Sequence, residues 1–152
     1  MKKRLIIALS ASALVAAGVS LAAGAAPSPI VATILGGASV AKPYTIRVTK
    51  PSDLVFVKAK VLPHGNLGWH YHRGAVAVAV LSGTLTLYDS SVASCSPQQY
   101  SAGQGFIEQK GHVHLARNET DKPVQIVVTY LGAPHGVPLD VPAKESVGCS
   151  VD

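Results

Sequence analysis

Gly65-Asn66-Leu67-Gly68-Trp69-His70-Tyr71-His72 is the stretch that decides how this chain is read. In an extended strand, side chains two residues apart share a face. His70 and His72 therefore aim two imidazoles at one point, while Trp69 and Tyr71 face the other way. A glycine-rich approach precedes the pair, and the apolar run Val76-Ala77-Val78-Ala79-Val80 follows it. That setting suits a barrel interior better than a solvated face. A second pair, His112-Val113-His114, stands further along the chain. A third nitrogen from that second strand would complete a facial set of metal donors.

The flanking chain is built of short apolar runs separated by Gly, Pro, Asn, Asp and Ser. Strands are expected over Tyr44–Thr49, Leu54–Leu62, Ala75–Leu81, Thr84–Tyr88, Phe106–Glu108, His112–Arg117 and Val124–Leu131. Within Leu54–Leu62, Lys58 and Lys60 alternate with Val57, Ala59 and Val61, which gives one wet and one dry face. Ser82-Gly83 reads as a turn. Several short strands without a helical period indicate an all-β sandwich or barrel. Residues 26–42 are small and neutral, and read as a linker or an edge strand. Residues 43–132 form the barrel. The stretch 133–152 carries Pro134, Pro138 and Pro142 and reads as an irregular tail held against it.

The spacing of these residues resembles the cupin family, whose two motifs read G-x5-H-x-H-x3–4-E-x6-G and G-x5-P-x-G-x2-H-x3-N. His70, His72 and Gly83 fit the first motif; Gly103, Gly111, His114 and Asn118 fit the second. The likeness runs from His64 to Asn118 and implies a jelly-roll barrel, similar to the small single-domain cupins of the type-2 conserved-barrel kind. Three departures stand out. Val76 occupies the place of the family's metal-binding Glu, Gln109 that of the motif Pro, and the opening Gly falls one place late, at Gly65.

What the resemblance implies is a three-histidine metal site from His70, His72 and His114; a site that has lost its metal is the competing reading. Imidazoles suit Fe, Cu, Zn, Ni or Mn, so the donors alone do not choose the ion. Three neutral donors leave a dication uncompensated, which favours an anionic small-molecule ligand. Glu108 is a candidate accessory ligand that would restore a carboxylate, and its more ordinary reading is an exposed or supporting acid. His112, beside Gly111, is a second accessory candidate, read as supporting or solvent-facing. Asn118 reads as a turn-stabilising residue. Arg73 and Arg117 are out of phase with the histidines and are expected on the surface. His64 and His135 read as loop residues. With 5% aromatic residues there is little stacking surface, so a small, partly apolar ligand fits best.

Two functions of different class follow. One is a dioxygenase-type metalloenzyme; the other is a non-catalytic cupin that binds a metal or small ligand. Oxalate chemistry of the family draws on the missing Glu and ranks lower. A homodimer is compatible with the fold class.

The N-terminus sets the compartment. Met1-Lys2-Lys3-Arg4 precedes an apolar run, Leu5 to Leu21, and an Ala-rich exit ending at Ala25. This is the layout of a secretory signal peptide over residues 1–25; an uncleaved membrane anchor is the alternative. The chain has 13 Lys+Arg and 8 Asp+Glu, and without Lys2, Lys3 and Arg4 the balance is 10 to 8. No dense basic patch is left for nucleic acid. An exported protein, periplasmic or extracellular, with two cysteines is expected to pair Cys95 with Cys149, two free thiols being the other reading.

Overall fold

The computed structural model describes residues 32–145, 149 and 151, so the expected signal segment lies outside the described residues. Among the described residues there are ten strands: β1 Ser39–Val40, β2 Asp53–Val61, β3 His70–His72, β4 Ala75–Ser82, β5 Thr84–Asp89, β6 Gln98–Ser101, β7 Gln104–Glu108, β8 His114–Arg117, β9 Val124–Ala133 and β10 Asp140–Pro142. They make two five-stranded sheets, ordered β1-β7-β4-β9-β2 and β10-β3-β8-β5-β6. No helix of the described residues is long and apolar enough to cross a membrane.

Sequence pattern and sheet position agree. β4 lies between β7 and β9, and its run of Val and Ala is nearly continuous, as a central strand demands. Val76, Val78 and Val80 enter the core together with Leu85, Leu87, Phe106, Val124 and Ile126. β2 is an edge strand, and its outward positions Lys58 and Lys60 are exposed. Charged side chains on an edge discourage pairing with another chain. At the β4–β5 corner, Gly83 has φ +77°, and a Cβ there would come within 3.0 Å of Val124 Cγ2. Only glycine adopts that turn at no steric cost.

Three expectations about strands are corrected. Tyr44–Thr49 is not a strand: it forms no ladder with a neighbour, and Tyr44 and Val48 are exposed while Ile46 is half-buried. Its alternation reflects composition rather than a buried face. The strand expected from His112 begins at His114, because Gly111, at φ +79°, still belongs to the preceding turn. Part of the tail is regular: β10 pairs antiparallel with β3, with Asp140 opposite His72 and Pro142 opposite His70. A disulfide joins Cys95, in the loop after β5, to Cys149.

Candidate metal centre

β3 is three residues long and lies between β8 and β10. His70 and His72 point inward from it, and His114 stands opposite His70 at the start of β8. All three are buried. One ring nitrogen from each falls within 4.8 Å of the others, and the ring centroids are 4.4–5.0 Å apart.

Backbone carbonyls fix the orientation of each ring. Nδ1 of His70 donates to Gly68 O at 2.8 Å, Nδ1 of His72 to Leu139 O at 3.1 Å, and Nδ1 of His114 to His112 O at 2.9 Å. A carbonyl only accepts, so each Nδ1 carries the hydrogen and each neutral ring is left with its lone pair on Nε2. This support is the usual arrangement around metal-binding imidazoles. His112 contributes only through its carbonyl, since its side chain is exposed. Gly111 N donates to His72 O at 2.9 Å and ties the turn before His114 to the other ligand strand.

The group of mutually close donors is the expected three nitrogens, and Glu108 lies directly beside it. Glu108 ends β7 directly opposite Val76 on β4, so the two side chains share the inward face. Its carboxyl is buried, with Oε2 3.1 Å from His72 Nε2 and Oε1 3.1 Å from His114 Nε2. The reading of Glu108 as an exposed acid is thereby overturned. The approach to His114 lacks hydrogen-bond direction, and His114 Nε2 is a buried nitrogen without a hydrogen-bond partner. A buried nitrogen lone pair left in this way is costly unless something binds it. The donor set fits a divalent cation.

Two residues that sequence reasoning missed complete the surroundings. Asp140 Oδ1 approaches His72 Nδ1 to 3.2 Å. Tyr130 packs its ring edge-on to His72, centroids 5.4 Å apart, and donates its hydroxyl to Asp140 at 3.0 Å. Tyr130 had a signal: it continues the inward parity of Val124, Ile126 and Val128 on β9. Asp140 had none, being set between Pro138 and Pro142.

Burial pushes the pKa of His72 down, but the Asp140 and Glu108 carboxylates outweigh it and raise the value to about 10. Burial and the Glu108 carboxylate oppose each other at His114 as well, with a net rise. His70 is lowered, chiefly by burial. Burial would raise Glu108, yet His114 and His72 bring it down to about 2. Burial and the Asp140 charge push Tyr130 up, so it keeps its proton.

The remaining sequence candidates lie elsewhere. Arg73 is exposed and Arg117 sits 3.3 Å from Glu119; neither lines the cavity beside the histidines. Asn118 is fully buried, and its Nδ2 donates to the carbonyls of Val61, Leu62 and Lys122. His64 and His135 are exposed and meet Asp121 and Asp53. Gly103, at φ +84°, makes the turn between β6 and β7. The cavity measures about 180 Å³ and is walled by His70, His72, Glu108 and Tyr130 together with Val57, Ala59, Val78 and Phe106 among others.

Comparison with known proteins gives the same family as the motifs. The cupin domain matches residues 57–130, which includes all three histidines and Glu108. The barrel is a cupin domain. Among solved structures this cupin is similar to a conserved protein with a double-stranded β-helix domain from Klebsiella pneumoniae (23% identity, 64% of this chain and 81% of that one, TM-score 0.49). It is also similar to the polyketide cyclase RemF from Streptomyces resistomycificus (19% identity, 63% of this chain and 64% of that one, TM-score 0.51). The DMSP lyase DddQ from Ruegeria pomeroyi is a further relative in fold (16% identity, 60% of this chain and 44% of that one, TM-score 0.51). The chain thus spans less than two thirds of the cyclase and under half of the lyase. A comparison with curated protein sequences yields no match.

Proposed function

We propose that this cupin is an exported protein that binds a divalent metal through Nε2 of His70, His72 and His114. It takes a small, partly apolar monoanion into the adjoining cavity and acts on it as a metal-dependent dioxygenase. The observation that carries the metal reading is the carbonyl acceptor on every Nδ1. It leaves three Nε2 atoms turned to one point.

A bound cation would supply Lewis-acid polarisation of a ligand oxygen and, if redox-active, dioxygen chemistry. The chain's own residues do the rest. His70, His72 and His114 hold their rings in the metal-binding tautomer. Val57, Ala59, Val78 and Phe106 keep the cavity wall apolar and restrict water. At about 180 Å³ the space is below the roughly 300 Å³ typical of drug-sized sites, which supports a small ligand. Tyr130 gives its hydroxyl proton to Asp140, so toward the cavity its oxygen can only accept, and its ring packs edge-on against His72. Glu108 offsets one charge of a dication, and a monoanion such as a carboxylate or enolate would offset the other. Export is supported by the Cys95–Cys149 bond, which persists in oxidising compartments.

One observation favours the non-catalytic alternative. Glu108 faces two imidazoles and Tyr130 donates to Asp140, so neither is a free base toward the cavity. Metal analysis of the purified mature protein, after supply of Fe, Cu, Zn, Ni and Mn, tests the common premise. The expected result is one ion per chain, lost in His70→Ala, His72→Ala and His114→Ala. No ion in the native protein would sink both readings. Dioxygen uptake with small diketones, phenols and thiols then separates them: a loaded protein that consumes none is a binder.

A further inference from the structure

Val76 and Glu108 are direct cross-strand partners, and both are buried on the inward face of the β4–β7 pair. We propose that Glu108 is the fourth protein ligand of the metal centre, its carboxylate delivered from β7 across the sheet from Val76. The proposal rests on the three histidines being a metal site and adds a donor to it.

The geometry supports ligation over a passive acid. Two donors held at about 2.1 Å from one ion and at right angles lie about 3 Å apart. The Glu108 oxygens stand 3.1 Å from His72 Nε2 and 3.1 Å from His114 Nε2, which is the spacing of neighbours on one ion. The contact to His114 lacks hydrogen-bond direction. One oxygen thus stands beside each of two histidine nitrogens, and a small turn of the carboxylate would bring it onto an ion held by the three nitrogens. Cross-strand neighbours have Cβ atoms about 5 Å apart, so a carboxylate from residue 76 or from residue 108 starts close to the same point. Valine at one position and glutamate at the other keeps one acid, and not two, in a space this size. A dication on three imidazoles and this carboxylate retains a single positive charge, hence the preference for a monoanionic ligand.

The test is a chelator-competition titration with Zn²⁺ and Co²⁺ on the full mature chain, with Co²⁺ absorption recorded and folding checked by circular dichroism. The expected result for Glu108→Gln is binding weaker by more than about 100-fold, the upper end of what residues behind a ligand typically contribute, with a changed Co²⁺ spectrum. Val76→Glu/Glu108→Val, which moves the acid back across the pair, is expected to recover most of the affinity. If Glu108 serves only as a counter-ion to protonated imidazoles, Glu108→Gln will bind Zn²⁺ as tightly as the native chain or more tightly, because protons then compete less. That result overturns the proposal and leaves the three-histidine site standing. If the native chain binds neither ion, both fall.

Discussion

Asp140 Oδ1 stands 3.2 Å from Nδ1 of His72, on the side of the ring away from Glu108. The two residues face each other across the β10–β3 register, so a strand from the proline-rich tail steadies a histidine of the central cluster. His72 is thereby held from both ends, by acids that belong to different sheets.

Asp140→Ala should leave the barrel folded and weaken Zn²⁺ binding by about 10- to 100-fold, the usual cost of removing a residue that orients a ligand. Leu139 O remains as acceptor and keeps the tautomer, which is why binding survives. Chelator competition checks this. An unchanged affinity would mean that the carbonyl alone positions the ring.

Metal uptake should strengthen as pH rises. Without metal, His72 is raised to about 10, so its ring holds a second proton at neutral pH, and His114 is shifted upward as well by the Glu108 carboxylate. Nε2 must lose its proton to bind an ion. Affinity should therefore climb from pH 6.5 toward 10, with protons released on binding, as read by calorimetry in buffers of different ionisation enthalpy. The metal-free protein moves the other way. A raised histidine contributes stability fully below its unfolded value of 6.5 and loses it as pH rises through about 10. Glu108, lowered to about 2, contributes above its unfolded value of 4.5 and loses that as pH falls toward 2. Thermal scans of the chelated protein should show a midpoint that declines between pH 7 and 10.

How far the sequence could be read depended on local regularity. The two His-x-His pairs and the alternation of Leu54–Leu62 report a period of two directly, and from them a barrel and a pair of inward nitrogens could be read. The choice of His114 as the third came from the likeness to the cupin motif. Glu108 was visible as an acid on a strand. Its direction was not, because whether residue 108 faces in depends on the β7–β4 register opposite Val76. Asp140 was hidden for a different reason: Pro138 and Pro142 make its segment look like loop, although an edge strand tolerates proline. Tyr44–Thr49 failed in the opposite sense, having the pattern of a strand and no partner to pair with.

Asn118→Ala should destabilise the domain by about 3 kcal/mol, since it strips donors from three carbonyls, one buried and two half-buried, and an acceptor from Thr120. The midpoint of urea unfolding measures it. Metal affinity of the folded fraction should be unchanged, because Asn118 touches none of the three histidines. A loss of affinity at equal stability would contradict a purely structural role.

Cys95→Ser/Cys149→Ser opens a loop of 54 residues in sequence separation. Chain entropy puts the loss of stability at about 4 kcal/mol. Denaturant titration of native and variant chains checks the figure. A difference below about 1 kcal/mol would mean that the tail is secured by β10 alone.

The pairing of β10 with β3 reaches further than stability. The bond at Cys149 restrains the same tail that presents Asp140 and Leu139 to His72. That bond forms only where thiols are oxidised. Before that point the chain would present a slacker nitrogen cluster. The redox state of one remote bond would then bear on the order of the site as well as on the stability of the fold.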